Sequence, residues 1–189
     1  MMRGQRRPGL GWRWHWAAAV LLCAARAAAA DPTAGEVGAG QPGAGHPGPG
    51  QPGAEQLRQA VRADYVLQCA GCHRVDGRGS SRHGIPDFRS SVGAFTHLPA
   101  GREYLIRVPG AAQSQLDNAE LAAVLNWVLE TFSPAQLPAD FRPYTEQEVA
   151  SVRPRRYQDV VPVRHELAKQ LSAQGFNLAD YSYGSDRKP

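Results

Sequence analysis

The sequence predicts an all-α fold: a small helical domain at residues 55–133, followed by an extension at residues 134–189. Two apolar stripes at helical spacing bracket that domain. Leu57, Ala60, Val61 and Tyr65 form the first, and Leu121, Val124, Leu125 and Val128 form the second at i, i+3, i+4 and i+7. Between them the chain is rich in Gly, Ser and Pro, with only short apolar pieces. A core of this size is marginal unless something other than side chains fills it.

The elements follow in chain order. Residues 1–30 read as a secretory signal. Arg3, Arg6, Arg7 and Arg13 stand in a start without acids, the apolar run 17–25 follows, and Ala28-Ala29-Ala30 precede Asp31 in the small-residue pattern of a cleavage site. The apolar run falls well short of the roughly 20 residues that cross a bilayer, and Arg26 interrupts its end. Cleavage near Ala30 is therefore expected, with no stable membrane insertion afterwards. A lipoprotein signal through Cys23 fits less well, because bulky Leu22 sits where a small residue is wanted. Arg6-Arg7 is followed by Pro-Gly, not by the apolar pair of a twin-arginine signal.

Cleavage changes the charge. The full chain has 21 Lys+Arg against 17 Asp+Glu; five of the arginines and none of the acids lie in residues 1–30, and 21 − 5 leaves 16 basic against 17 acidic. That balance gives nucleic acid nothing to bind.

Residues 31–54 are dense in Gly and Pro and lack an aliphatic residue after Val37, which predicts a flexible linker in which His46 is solvated. A short helix is expected at residues 101–107, ended by Val108-Pro109-Gly110. Asp117 and Glu120 form a capping-box pair for the last helix of the domain, which Ser133-Pro134 ends. In the extension, prolines at 134, 138, 143, 154 and 162 separate two weak helices, at residues 145–153 and 163–171. It is expected to pack on or beside the helical domain, with a loose end after Ala173.

The chemistry lies in Cys69-Ala70-Gly71-Cys72-His73. Beyond the signal these are the chain's two cysteines, and the adjacent His73 argues against a disulfide or a thioredoxin-like pair. Two thiols separated by two residues match the reach between the vinyl groups of a haem, and the next residue falls beneath the ring to ligate iron. A zinc half-site would need a second Cys or His pair, which the sequence lacks at useful spacing. The motif predicts one covalently bound haem c, held by Cys69 and Cys72, with His73 on the iron.

The stretch 65–80 around that motif, Gly84-Ile85-Pro86-Asp87 after it, and the helix at 118–128 resemble the class I (monohaem) cytochrome c family over residues 55–133. The resemblance implies a fold whose first and last helices cross beside the haem. It also implies that Pro86 lends its carbonyl to the Nδ1–H of His73, and that the protein transfers electrons.

One departure is large. The family takes its second iron ligand from a methionine in the loop before the last helix, here residues 108–116, and the chain's only methionines are Met1 and Met2. His97, between Phe95-Thr96 and Leu98-Pro99, is the candidate replacement, against an open iron and, more distantly, Lys169. His83 is expected on the His73 side and His165 on the surface. Axial methionine raises a haem's potential, so its loss points away from a high-potential carrier.

The expected function is electron carriage in a periplasmic redox chain, with a redox partner protein such as a quinoprotein dehydrogenase. The alternatives are a haem-based ligand-binding sensor or a peroxidase-like enzyme with an open distal site, for which Arg102-Glu103 and Arg107 are candidate charged groups.

Overall fold

The computed structural model describes residues 53–184. The expected signal at residues 1–30, the linker up to residue 52 and the last five residues lie outside that range. Among the described residues there is no strand; the one β-bridge joins Ser80 and Ile85.

Helix α1, Ala54–Gln68, starts where the Gly-Pro composition stops, and the Gln56 side chain accepts from the Gly53 N–H at 2.8 Å. Its buried residues are Val61 and Tyr65, whereas Leu57 is 56% exposed, so the inner face is narrower than the sequence stripe. The one-turn helix α2, Ala70–His73, follows at once. A 3₁₀ turn at Val92–His97 buries Val92 and Phe95 and leads into α3, Pro99–Arg107, two residues longer than expected because Pro99 suits a first helical position. Pro109 opens another single turn, α4, Pro109–Ala112, in a stretch that reads as loop in the sequence.

Helix α5, Asn118–Phe132, has the expected capping box: Asp117 Oδ1 accepts from the Glu120 N–H, and Glu120 Oε2 accepts from the Asp117 N–H, both at 2.8 Å. Its inner face buries Leu121, Val124, Val128 and Leu129. α5 packs against α1 at an aromatic junction, with Tyr65 4.9 Å from Trp127 and 5.6 Å from Phe132 between ring centroids. Ring contacts of this kind add about 1 kcal/mol each beyond area burial.

The extension carries α6, Glu146–Val152, and α7, Val161–Ala173. Tyr144, Val149, Val152, Leu167 and Leu171 join the same hydrophobic cluster as α1, α3 and α5. The chain is not loose after Ala173. Phe176 and Leu178 pack against the core, the Ala179 N–H donates to Ser91 Oγ at 3.4 Å, and the Tyr181 hydroxyl donates to the Gly84 carbonyl at 3.3 Å. The aromatic residues after Gly175 give this segment enough apolar surface to lie back over the domain.

Candidate haem site

Helices α1 and α2 meet at the first cysteine. The Cys69 N–H donates to the Tyr65 carbonyl at 2.9 Å, and the Cys69 carbonyl accepts from the His73 N–H at 2.9 Å. One helical turn therefore sets the spacing of Cys69, Cys72 and His73. Both thiols are free, Cys69 half-buried and Cys72 exposed. Burial, with a smaller contribution from Cys72, pushes the Cys69 thiol up to about 11. Immediately after His73, Arg74 takes φ 64°, a conformation that non-glycine residues hold only when their surroundings enforce it. Here the Tyr65 hydroxyl donates to the Arg74 carbonyl at 2.7 Å.

His73 Nδ1 lies 3.3 Å from the Pro86 carbonyl oxygen. The Ser80–Ile85 pair delivers that carbonyl: the Ser80 N–H donates to Ile85 O at 2.8 Å, and the Ile85 N–H to Ser80 O at 3.2 Å. Gly79 makes the approach possible. Its φ is +60°, and a Cβ there would lie 2.7 Å from Ile85 O and press on the Pro86 carbonyl. Burial pushes His73 down to about 4; the Pro86 bond opposes this and the charge of Arg164 adds to it. At neutral pH the imidazole is uncharged, so with Nδ1–H donating to Pro86 the Nε2 lone pair is available to a metal.

Two cavities open beside His73. The larger, of about 270 Å³, runs from Pro86 past Phe95, Tyr104 and Pro109 to Arg164 and Tyr181 of the extension. The smaller, of about 80 Å³, reaches Cys69, Leu121 and Val128 and is almost wholly apolar. His73, Phe88, Val92, Leu105 and Val108 line both. The Phe88 ring lies flat against the imidazole, 3.9 Å away and inclined by 15°.

An apolar crevice, the Cys69 thiol on its wall with the exposed Cys72 thiol one helical turn on, a neutral imidazole inside and a buried cation whose Nε has no partner are a donor set that fits an iron porphyrin bearing carboxylates. Over 131 residues the chain is 32% identical to a cytochrome c-552 of Thermus thermophilus, covering 59% of this chain and 88% of that protein. A second cytochrome c-552 from Thermus thermophilus is 32% identical over 129 residues, covering 58% and 98%. The chain belongs to the class I monohaem c-type cytochromes. No family model matches this cytochrome, and no solved structure matches it.

The cofactor of this cytochrome is one covalent haem c, which supplies one-electron iron chemistry. Cys69 and Cys72 are the residues that would hold it, through thioether bonds, and His73 the one that would ligate its iron. Among the described residues, no three His, Cys, Asp or Glu side chains converge into a separate metal site.

The remaining predicted residues are not brought together. His97 is exposed; its Nε2 lies 2.9 Å from the Gln136 carbonyl, its ring tilts on Phe176 at 4.5 Å, and it lines neither cavity. The 3₁₀ turn that sends Phe95 inward sends the histidine two residues on outward. His83 is engaged with Ser80 at 2.7 Å, and His165 meets the Tyr183 carbonyl at 3.1 Å. Arg102 and Arg107 also turn away from the crevice. Arg102 forms a bidentate pair with Glu148 at 2.6 and 2.8 Å, and Arg107 donates to the Arg155 carbonyl.

The far wall is instead Tyr104, Arg164 and Tyr181, none of which the sequence reading singled out. A signal for Arg164 was present: with Leu167 and Leu171 it occupies i, i+3 and i+7, a charged residue on the apolar stripe of α7.

Proposed function

We propose that this cytochrome is exported and carries electrons in a periplasmic redox chain, accepting them from a quinoprotein dehydrogenase. The observation that carries the reading is the surface at the attachment site. Cys72 is exposed, and Leu67 and Val75 on either side of the motif are 76% and 67% exposed. Bare apolar residues beside a redox group suit brief docking of a partner. The signal-like residues 1–30 support export, and among the described residues no helix is long and apolar enough to cross a membrane.

The test is the second-order rate at which a purified periplasmic quinoprotein dehydrogenase reduces the protein. Leu67→Glu with Val75→Glu is expected to slow that rate at least tenfold while leaving the spectrum and potential unchanged. An unaltered rate would sink the docking assignment, and failure of any such dehydrogenase to reduce the protein would sink the partner.

A second reading concerns the iron's other face. His73 is the one His, Met or Lys side chain lining the two cavities. Burial raises both Tyr104 and Tyr181, keeping them phenols rather than ligating phenolates at neutral pH. This supports an iron with no second protein ligand, able to bind a diatomic gas. Peroxidase chemistry has weaker support, because it needs a distal base; Asp87, the acid on the wall, is held by Arg89 at 2.6 Å. Rapid carbon monoxide binding by the reduced protein is the expected result, and its absence would show that the site is closed.

A further inference from the structure

The crevice beside His73 is lined by one arginine and no lysine, and that arginine comes from the extension. Arg164 is 5% exposed. Its guanidinium carbon lies 4.3 Å from the Tyr181 ring centroid and 5.1 Å from that of Phe95. Desolvated cation–π contacts contribute about 2 kcal/mol, whereas taking an ion out of water costs several kcal/mol or more. Arginine cannot escape that cost by losing its proton.

The partners that satisfy other arginines of this protein are missing here. Arg102 has Glu148, Arg89 has Asp87, and Arg153 donates to the carbonyls of Ala112, Ser114 and Leu116. Arg164 forms no ion pair with any acid among the described residues. Its Nε is buried with no hydrogen-bond partner; the Tyr104 hydroxyl is the neighbour its guanidinium hydrogen-bonds, and its charge is felt by His73, Tyr104 and Tyr181. A buried guanidinium with a free Nε–H and no acid opposite it suits a carboxylate.

Haem brings two propionate carboxylates into the crevice. We propose that Arg164 receives one of them, so that the C-terminal extension contacts the cofactor directly and sets its charge environment. A guanidinium edge matches a carboxylate in bidentate fashion, and the unpartnered Nε–H supplies one of the two donors. The retained positive charge favours the ferrous state, because reduction lowers the positive charge at the iron. The inference rests on the covalent haem alone and needs neither the dehydrogenase nor an open iron.

The experiment uses the haem-loaded full chain and its Arg164→Gln and Arg164→Lys variants, each compared by redox titration, by the propionate bending bands in resonance Raman, and by cyanide titration of the ferric protein. Arg164→Gln is expected to lower the potential and shift the propionate bands, with cyanide affinity changed less than twofold. Arg164→Lys keeps the charge but not the fork, so it recovers most of the potential with the bands still shifted. Unmoved bands in either variant overturn the proposal. A cyanide affinity reduced more than tenfold with unmoved bands also overturns it, and would assign Arg164 to an anion on the iron. Where Arg164→Gln fails to accumulate with haem, the bands of Arg164→Lys decide the matter.

Discussion

Residues 54–133 and residues 134–184 contribute to one core, but they are held in place differently. The first region organises itself locally: a capping box starts α5, one helical turn spaces the cysteines, and a two-hydrogen-bond turn aims Pro86 at His73. The second region is tied down by bonds that span the sequence. Asn126 brackets the Tyr144 backbone at 2.7 and 3.0 Å, the Tyr144 hydroxyl donates to Arg102 O at 2.9 Å, and Arg153 reaches three carbonyls ahead of α5. The difference teaches that the extension has little structure of its own to offer and acquires it from the domain it covers. In return it supplies Val160, Arg164 and Tyr181 to the wall of the crevice.

The strongest way to break that comparison is to cut the core once on each side. Leu129 and Leu171 are 1% and 0% exposed, and replacing either by alanine is expected to cost about 3 kcal/mol. Both variants should unfold in a single transition, with far-ultraviolet circular dichroism and haem absorbance coinciding. An early, separate transition in Leu171→Ala would show the extension to be an independent layer.

Tyr144 sharpens the comparison through pH. Burial holds its phenol well above the usual value of about 10. Above that pH the unfolded chain sheds a proton the folded chain retains, so stability present below pH 10 is lost as pH rises. Tyr144→Phe should cost about 1 kcal/mol at neutral pH through the lost hydrogen bond, and denaturant titrations between pH 9 and about 11 should fall less steeply than those of the parent. An unchanged slope would mean that Tyr144 is not sealed against the helical domain.

The smallest effect is expected at His97. His97→Ala removes one exposed hydrogen bond, worth about 0.5 kcal/mol, and should leave the haem absorption spectrum untouched. A low-spin spectrum turned high-spin by that substitution would restore His97 to the iron.

The turn that spaces Cys69, Cys72 and His73 was legible in the sequence because the motif is one turn long, and α5 because Asp117, Glu120 and its stripe agree. Pro86 needed the family resemblance. His97 misled because position along the chain says nothing about which way a 3₁₀ turn faces, and Leu57 because spacing alone does not set the width of a buried face. Arg164 escaped notice because its meaning depends on Phe95 and Tyr181, 69 residues before and 17 after it in the sequence.

The placement of the crevice walls has a consequence in time. A chain made from its N-terminus presents Cys69, Cys72 and His73 while Val160, Arg164 and Tyr181 are still to be synthesised. Until those residues are in place, the crevice lacks the wall they form.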